Sequence, residues 1–309
     1  MIMNRTMYNF FSPYREIIPD FENFLESLNY PPPVHFRVNR LKVEPDTLVN
    51  ILEERGVSLT PMGDKGRRFY EAPDLRSPGN LPEYFSGYIH PQALTSCLAA
   101  MILAPEKDTL VLDMCSSPGG KTGHMADIME NSGIIVANEL YASRHIPLGH
   151  TLIRLGVINA VYTEYQAQEF PLKQRFDYIM ADVPCSGEGR IRKIEGSAKS
   201  YPSKPHPGNK LLDLQKKIML RGFDLLKDNG VMLYSTCTYN PAENEEAVQF
   251  LLDNREAELL PIDINFPHMH GLTGWKDASY DKQLEKAARF YPHLTNSVGF
   301  FMARIGRRG

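Results

Sequence analysis

From about Gly87 onward the chain alternates short apolar runs with helix-like segments, and this alternation constrains the fold more than any other feature. Runs at 109–115, 133–139, 159–163, 176–182 and 230–236, with a late one at 299–305, have the length and residue types of strands. Strands that alternate with helices build a parallel sheet covered on both faces. The predicted fold class is therefore α/β, with a Rossmann-like sheet over 87–309. Residues 1–86 are broken by Pro31-Pro32-Pro33, Pro61-Met62-Gly63 and Ser77-Pro78-Gly79-Asn80. Strands at 34–40 and 69–72, and a helix over 45–55 opened by Pro45 and stopped by Gly56, make that part a small α/β domain.

Unusual residues fall where the strands end: Asp113, Glu139, Asp182 and Cys237. Open α/β sheets bind ligands at the carboxyl ends of their strands, so one shared cleft is predicted. With 309 residues, 42% of them hydrophobic, the chain can bury a core for a large and a small domain. A net charge of -3 excludes a uniformly basic nucleic-acid binder, so any such surface must be local. No apolar run reaches a membrane span and the first residues lack the apolar core of a signal peptide, which predicts a cytoplasmic protein. The four cysteines, at 97, 115, 185 and 237, form no Cys-x-x-Cys pair, so neither disulfides nor a metal is expected. A monomer is expected.

After the first large-sheet strand, MCSSPGGKTGHMADIM makes a small-residue turn that opens a helix, where backbone N–H groups can approach a ligand. A P-loop would need glycine where Cys115 stands, and the G-x-G-x-x-G spacing is absent, so nucleotide triphosphates and dinucleotides are disfavoured. Glu139, twenty residues after Gly119, suits the two hydroxyls of an unphosphorylated ribose. S-adenosylmethionine satisfies both constraints, since it carries an adenosine and no pyrophosphate.

ADVPCSGEG puts Asp182 and Cys185 at one strand end, and YSTCTYNPAENEE puts Cys237 at the next. Two thiols at one cleft suit methylation of cytosine carbon 5, which becomes nucleophilic once a thiolate adds to carbon 6. A second acid-base group then assists loss of the carbon 5 proton, and Asp182 suits the N3 and amino edge of the ring. Chemistry alone leaves open which thiol attacks. Cys97, inside the apolar TSCLAAMIL, reads as a packed small hydrophobe.

The strings DMCSSPGGKT, ADVPCSGEG, YSTCTYNPAENE, RFYPH with GFFMARI, and FRVN from Phe36 together resemble the Sun-domain (NSUN) family of RNA cytosine-5 methyltransferases. The resemblance runs from about residue 34 to the end of the chain. It implies a class I methyltransferase sheet, S-adenosylmethionine as cofactor and RNA as partner. It assigns attack to Cys237 and product release to Cys185, with cofactor contacts from Cys115, Ser116, Ser117, Pro118, Gly119, Gly120, Lys121, Glu139, Arg144 and Asp182. Two positions depart from the family pattern: Ser116-Ser117 replaces a pair of alanines, and Gln166 replaces an acid expected at the adenine amino group. Either Gln166 or Glu164 can fill that place.

Between Glu188 and Arg221 nine Lys or Arg face three acids, a local cationic excess directly after the Pro-Cys motif. Arg190, Arg192 and Lys193 are predicted to contact RNA, with Tyr201 available to stack on a base and His206 in the same loop. In the small domain Arg37 and Asn39 are predicted RNA contacts. A target cytosine must be unstacked for a thiol to reach it. The lack of an added RNA-binding module favours tRNA over ribosomal RNA.

Overall fold

The structure, a computed structural model, describes residues 5–63, 69–192 and 208–308. Two short helices, α1 (Arg5–Phe11) and α2 (Phe21–Ser27), precede a four-stranded antiparallel sheet of order β2-β3-β1-β4. Its strands are β1 (Val34–Val38), β2 (Thr60–Met62), β3 (Phe69–Ala72) and β4 (Ile89–Pro91). Helix α3 (Pro45–Glu54) starts on a proline in its first turn, where no N–H is required, and stops before Gly56 at φ 78°. It buries Leu48 and Leu52, one turn apart, on this sheet. A single turn, α4 (Pro82–Phe85), leads into β4.

The rest alternates as α5 (Leu94–Leu103), β5 (Leu110–Asp113), α6 (Gly120–Ile128), β6 (Ile134–Asn138), α7 (Ala142–Leu155) and β7 (Ala160–Thr163). It continues as β8 (Phe176–Asp182), α8 (Asn209–Asp224), β9 (Leu226–Thr236), α9 (Glu245–Asn254) and β10 (Ala257–Leu260). Then follow β11 (Met269–His270), the hairpin β12 (Gly274–Trp275) and β13 (Ala278–Ser279), β14 (Ala288–Phe290), α10 (Pro292–Thr295) and β15 (Phe300–Arg307). Among the described residues nine strands form the large sheet, ordered β11-β14-β15-β9-β8-β5-β6-β7 with β10 on β15.

Strands β5 to β9 are parallel, and their side chains alternate between two cores. Ile179, Ala181, Met232 and Tyr234 meet Ile218, Met219 and Phe223 of α8 and Val248 and Leu251 of α9. Met180, Leu233 and Val111 meet Leu98 and Leu103 of α5 and Met125 of α6. Full burial of each such large side chain contributes about 1.5–3 kcal/mol, so this two-sided core dominates the stability. The last strands depart from the all-parallel expectation: β15 runs antiparallel to β9, and β14 antiparallel to β15. The link from Phe290 to Phe300 is shorter than the dozen or so residues a parallel crossover needs.

The two sheets are laced together at the carboxyl end of α7. Asn39 is wholly buried and donates from Nδ2 to the carbonyls of Gly87 and Leu155, both at 2.8 Å. Lys42 donates to the carbonyls of Arg154 at 2.8 Å and Ser86 at 3.1 Å. These bonds satisfy end-of-helix carbonyls that have no partner within α7. Gly87 sits at φ 74° with its α-carbon so close to the Arg154 carbonyl that a Cβ would lie 1.9 Å from the oxygen. Arg37 is likewise fully buried and pairs through NH1 with Asp127 of α6 at 3.5 Å. Arg37 and Asn39 therefore do not present themselves to RNA; both are spent on the seam. Asn39→Ala removes two buried donors from two carbonyls and is expected to cost about 2–4 kcal/mol in urea unfolding. A loss below about 0.5 kcal/mol would contradict the seam role.

Candidate active site

The order of the large sheet reverses at β5: the chain moves outward through β6 and β7, then returns to the other side of β5 with β8. Connections diverge there, leaving a crevice at the carboxyl ends of both strands. Asp113 closes β5, buried, and accepts from Thr122 Oγ1 at 2.7 Å. Burial pushes its carboxyl up to about 6. Gly119 takes φ 101°, a left-handed conformation that turns the chain from the β5 loop into α6.

Two side-chain braces hold this loop, one to β6 and one to α7. Ser116 donates from N and Oγ to the Asn138 carbonyl at 2.9 and 3.1 Å. Ser117 Oγ donates to the Arg144 carbonyl, and Arg144 NH2 donates to the Ser117 carbonyl, each at 3.0 Å. Replacing the family's alanines with serines thus adds hydrogen bonds without enlarging the turn. Asn138, which sequence reasoning missed, donates to the carbonyls of Met114 and Tyr165 and accepts from Thr163 Oγ1 and Tyr165 N. A polar residue at the last position of a buried strand was the available signal.

Two cavities open on either side of Cys115, which lines both. One, of about 520 Å³, is walled by Glu139, Arg144, Gln166, Lys217 and Ile218 among others. Glu139 is buried and accepts from Tyr141 N at 3.0 Å and from Arg144 NH1 at 3.2 Å. Gln166 is on this wall, whereas Glu164 is exposed and faces His145 Nε2 at 3.5 Å. The second cavity, of about 250 Å³, is lined by His90, Gln92, Asp113, the loop from Ser116 to Pro118, Gly120, Lys121 and Asp182.

All four cysteines are free. Cys97 is buried, and burial pushes its thiol up to about 12. Cys185 and Cys237 bring their sulfurs to 3.2 Å, and Cys237 N donates to Cys185 Sγ at 3.3 Å. A hydrogen bond from the Cys185 thiol holds Cys237 below the ordinary thiol range; Arg190 and Lys121 pull the same way, against burial and the charge of Asp182. The same bond, with burial, drives Cys185 up. Asp182 accepts from Lys121 Nζ on one oxygen and from Ser235 Oγ on the other, both at 2.7 Å. Burial opposes the Lys121 charge, but Asp182 and Asp113 outweigh it and raise its pKa.

Behind the thiols lies a buried network that the sequence reading did not single out. Glu243 accepts from Ser186 Oγ at 2.6 Å and from Ser186 N and Gln215 Nε2, each at 2.9 Å, while Gln215 also donates to the Pro184 carbonyl. Glu188 accepts from Thr238 Oγ1 at 3.0 Å and Tyr14 OH at 3.1 Å. The loops after β8 and β9 are thereby bolted to each other, to α8 and to the first helical segment. Phe11 and Phe24 pack edge-on against Tyr239, two residues past Cys237, and Tyr239 stacks on Tyr291 at 5.7 Å. The acids of NPAENEE were a visible signal, but their partners lie far away in the chain.

Arg190 is exposed beside this network. Arg192 instead is buried and donates to the carbonyls of Tyr30 at 2.9 Å and Ser297 at 3.3 Å, so its predicted RNA contact is corrected to a structural tie. Lys193, Tyr201 and His206 lie outside the described residues.

Residues 100–306 match the family model described as 16S rRNA methyltransferase RsmB/F. The chain is 36% identical over 288 residues to the human 28S rRNA (cytosine(4447)-C(5))-methyltransferase, covering 91% of this chain but only 35% of that protein. It is 34% identical over 291 residues to the tRNA (cytosine(49)-C(5))-methyltransferase of Pyrococcus abyssi, covering 93% and 92% of the two chains. A crystal structure of a methyltransferase homologue from Pyrococcus horikoshii superposes with a TM-score of 0.81 at 28% identity, covering 99% of this chain and 94% of the other.

Glu188 makes the network sensitive to pH. Burial first, with the charge of Glu243 adding to it, raises its carboxyl from 4.5 to about 7. The folded protein therefore holds a proton that the unfolded chain releases between those values. The associated stabilisation is complete below the lower value and is lost as pH rises through the upper one. Glu188→Gln, which stays neutral, is expected to gain roughly 2–3 kcal/mol relative to the wild type between pH 5 and pH 8 in urea unfolding. A difference that does not vary with pH would remove this ionisation from the account.

Proposed function

The chain belongs to the RsmB/F family of 16S rRNA methyltransferases, and from that premise we propose that it methylates carbon 5 of a cytosine in RNA, with Cys237 as nucleophile and S-adenosylmethionine as cofactor. The observation that carries this reading is the pair of thiols 3.2 Å apart at the ends of two adjacent parallel strands, one lowered and one raised in pKa. A buried thiol pair with opposite shifts is what a nucleophile and a separate proton-handling partner require.

Attack by Cys237 Sγ on carbon 6 forms a carbon–sulfur bond and moves electron density to carbon 5 and N3. Asp182, held on both oxygens by Lys121 and Ser235, accepts from the exocyclic amino group and, when protonated, hands its proton toward N3. The bound cofactor supplies the methyl group on an electron-poor sulfonium. Transfer of the carbon 5 proton to water, assisted by Cys185, then re-forms the carbon 5–carbon 6 double bond as the carbon–sulfur bond breaks and Cys237 leaves as a thiolate.

The cavity residues fit this cofactor. Buried Glu139 suits the ribose hydroxyls, and the apolar wall at Met114 and Ile218 suits the adenine. Gln166 on the wall, rather than Glu164, takes the place of the family's acid at the adenine amino group. Cys115, Ser116, Ser117, Pro118, Gly119, Gly120, Lys121 and Arg144 frame the turn around it.

For RNA, exposed Arg190 and the lysines that follow it in the sequence supply the phosphate contacts. We favour tRNA, since the archaeal tRNA enzyme is matched over nearly its whole length. The family description and the human relative favour ribosomal RNA as the second reading.

Mixing Cys185→Ala with S-adenosylmethionine and a mixed RNA pool is expected to trap an RNA–protein adduct on a denaturing gel. The adduct should vanish when Cys237 is also replaced, and sequencing the trapped RNA decides between tRNA and ribosomal RNA. Cys237→Ala alone should lose methyl transfer by at least about a thousandfold while still binding RNA. Undiminished methylation would overturn the nucleophile assignment.

A further inference from the structure

The residues that directly follow the two thiols are joined to each other. Ser186, after Cys185, and Thr238, after Cys237, bring their hydroxyl oxygens to 2.9 Å. Each hydroxyl also reaches a carboxyl: Ser186 Oγ lies 2.6 Å from Glu243 Oε1, and Thr238 Oγ1 lies 3.0 Å from Glu188 Oε2. One line of side chains therefore runs from Glu188 through Thr238 and Ser186 to Glu243, across the loops after β8 and β9. Its three contacts are all of hydrogen-bond length, and each needs a hydrogen between its oxygens. The two hydroxyls carry one hydrogen apiece and fill only two of the three contacts. The third hydrogen has to sit on a carboxyl. A proton on Glu188 directs the line toward Glu243, and a proton on Glu243 directs it toward Glu188. With both acids charged, the two hydroxyl hydrogens turn outward to the carboxylates and leave two bare oxygens facing each other.

No neighbour supplies the missing hydrogen. Asn240 N meets Thr238 Oγ1 from the side, Ser186 N and Gln215 Nε2 both reach Glu243 Oε2, and Tyr14 OH reaches Glu188 Oε1, so none of them lies in the line. Glu188 is 2% exposed and Glu243 0%. Arg289 of β14 faces Tyr14 but is committed to Glu245 of α9, Arg192 faces Tyr239, and no described lysine or arginine forms an ion pair with either acid. Tyr234 of β9 and the Cys185 thiol are the remaining titratable groups on the Glu243 side. Two buried acids this close, without a paired cation, favour a state in which one of them is protonated. In keeping with this, burial, with the charge of Glu243 adding to it, raises the Glu188 carboxyl to about 7.

We infer that Glu188 and Glu243 share one proton, and that this proton closes the contact between Ser186 and Thr238 that holds Cys185 and Cys237 at 3.2 Å. Ser186, Thr238 and the two acids are then positioning residues for the thiol pair. The hydrogen bond from Cys185 that favours the Cys237 thiolate depends on that spacing. Loss of the shared proton as pH rises through about 7 loosens the clasp and makes Cys237 less ready to ionise. The bearing on methyl transfer rests on the reading of Cys237 as nucleophile; the clasp itself does not.

The test is alkylation of the full chain by iodoacetamide, followed at the Cys237 peptide by mass spectrometry at about pH 6 and about pH 8. Glutamine at either end of the line carries amide hydrogens that do not titrate in this range, so it fills the third contact at both pH values. Glu188→Gln and Glu243→Gln are each expected to match the wild-type rate within about twofold at the lower pH and to exceed it about fivefold at the higher one. Thr238→Val, which keeps the shape and removes the hydroxyl, should slow Cys237 about fivefold at the lower pH. A ratio of variant to wild type that is the same at both pH values, or a Thr238→Val chain that reacts like the wild type, would overturn the inference. Glu188→Gln and Thr238→Val decide the matter if Glu243→Gln does not fold. Alkylation needs neither cofactor nor RNA, so the clasp can fail while Cys237 still traps an RNA adduct, and a chain that traps none can still show the clasp.

Discussion

Five parallel strands end on one edge of the large sheet, and the reversal of strand order at β5 keeps helices and crossovers away from the middle of that edge. Everything of chemical interest stands on this opening. Asp113 and Asp182 close neighbouring strands, Asn138 and Glu139 the next one out, and Cys237 follows β9 directly. Each reacting group is delivered by a rigid, two-sidedly buried strand, and only a short loop separates it from its anchor. Such placement keeps the side chains in position without a bound ligand.

Keeping the two catalytic loops in place requires burying charge. Glu188, Glu243 and Glu245 are all but excluded from solvent, and each is compensated in a different way. Glu245 pairs with buried Arg289 through two contacts, Arg289 Nε reaching Oε1 at 2.6 Å. Glu243 collects donors from Ser186 and Gln215. Glu188 accepts from the hydroxyls of Thr238 and Tyr14 and from the backbone of Tyr239, and burial still raises its carboxyl to about 7. The three acids therefore do different work although they lie within one stretch of fold.

The small sheet has a comparable division of labour. Its basic and amide residues at the seam, Arg37, Asn39 and Lys42, are directed at α6 and at the carbonyl end of α7. With Arg154 answering from α7 to Tyr84, Ile89 and His90, the two sheets share one polar seam next to the smaller cavity. Arg192 ties the start of the cationic stretch to Tyr30 and Ser297 in the same way. Positive residues near the site thus divide into those that hold the scaffold and those, such as Arg190, that stay exposed.

By itself the sequence determined the α/β class, the positions of the main strands and the ends at which chemistry would gather. Short apolar runs and glycine or proline breaks are local signals, and β8 and β3 begin and end where those signals place them. Motif spacing likewise put Asp182, Cys185 and Cys237 on adjacent strand ends. Only the tertiary structure decided which way β15 runs, that Arg37, Asn39 and Arg192 are buried, and that Gln166 rather than Glu164 faces the cleft. It also decided that Tyr14 touches Glu188 and that His90 faces α6. The physical reason is range. Strand and turn propensities act over a few residues, whereas burial and the partner of a charge depend on segments far apart in the chain, 174 positions for Tyr14 and Glu188. A basic residue read in isolation looks like a phosphate ligand; what it does is set by the carbonyl or carboxylate that folding brings beside it.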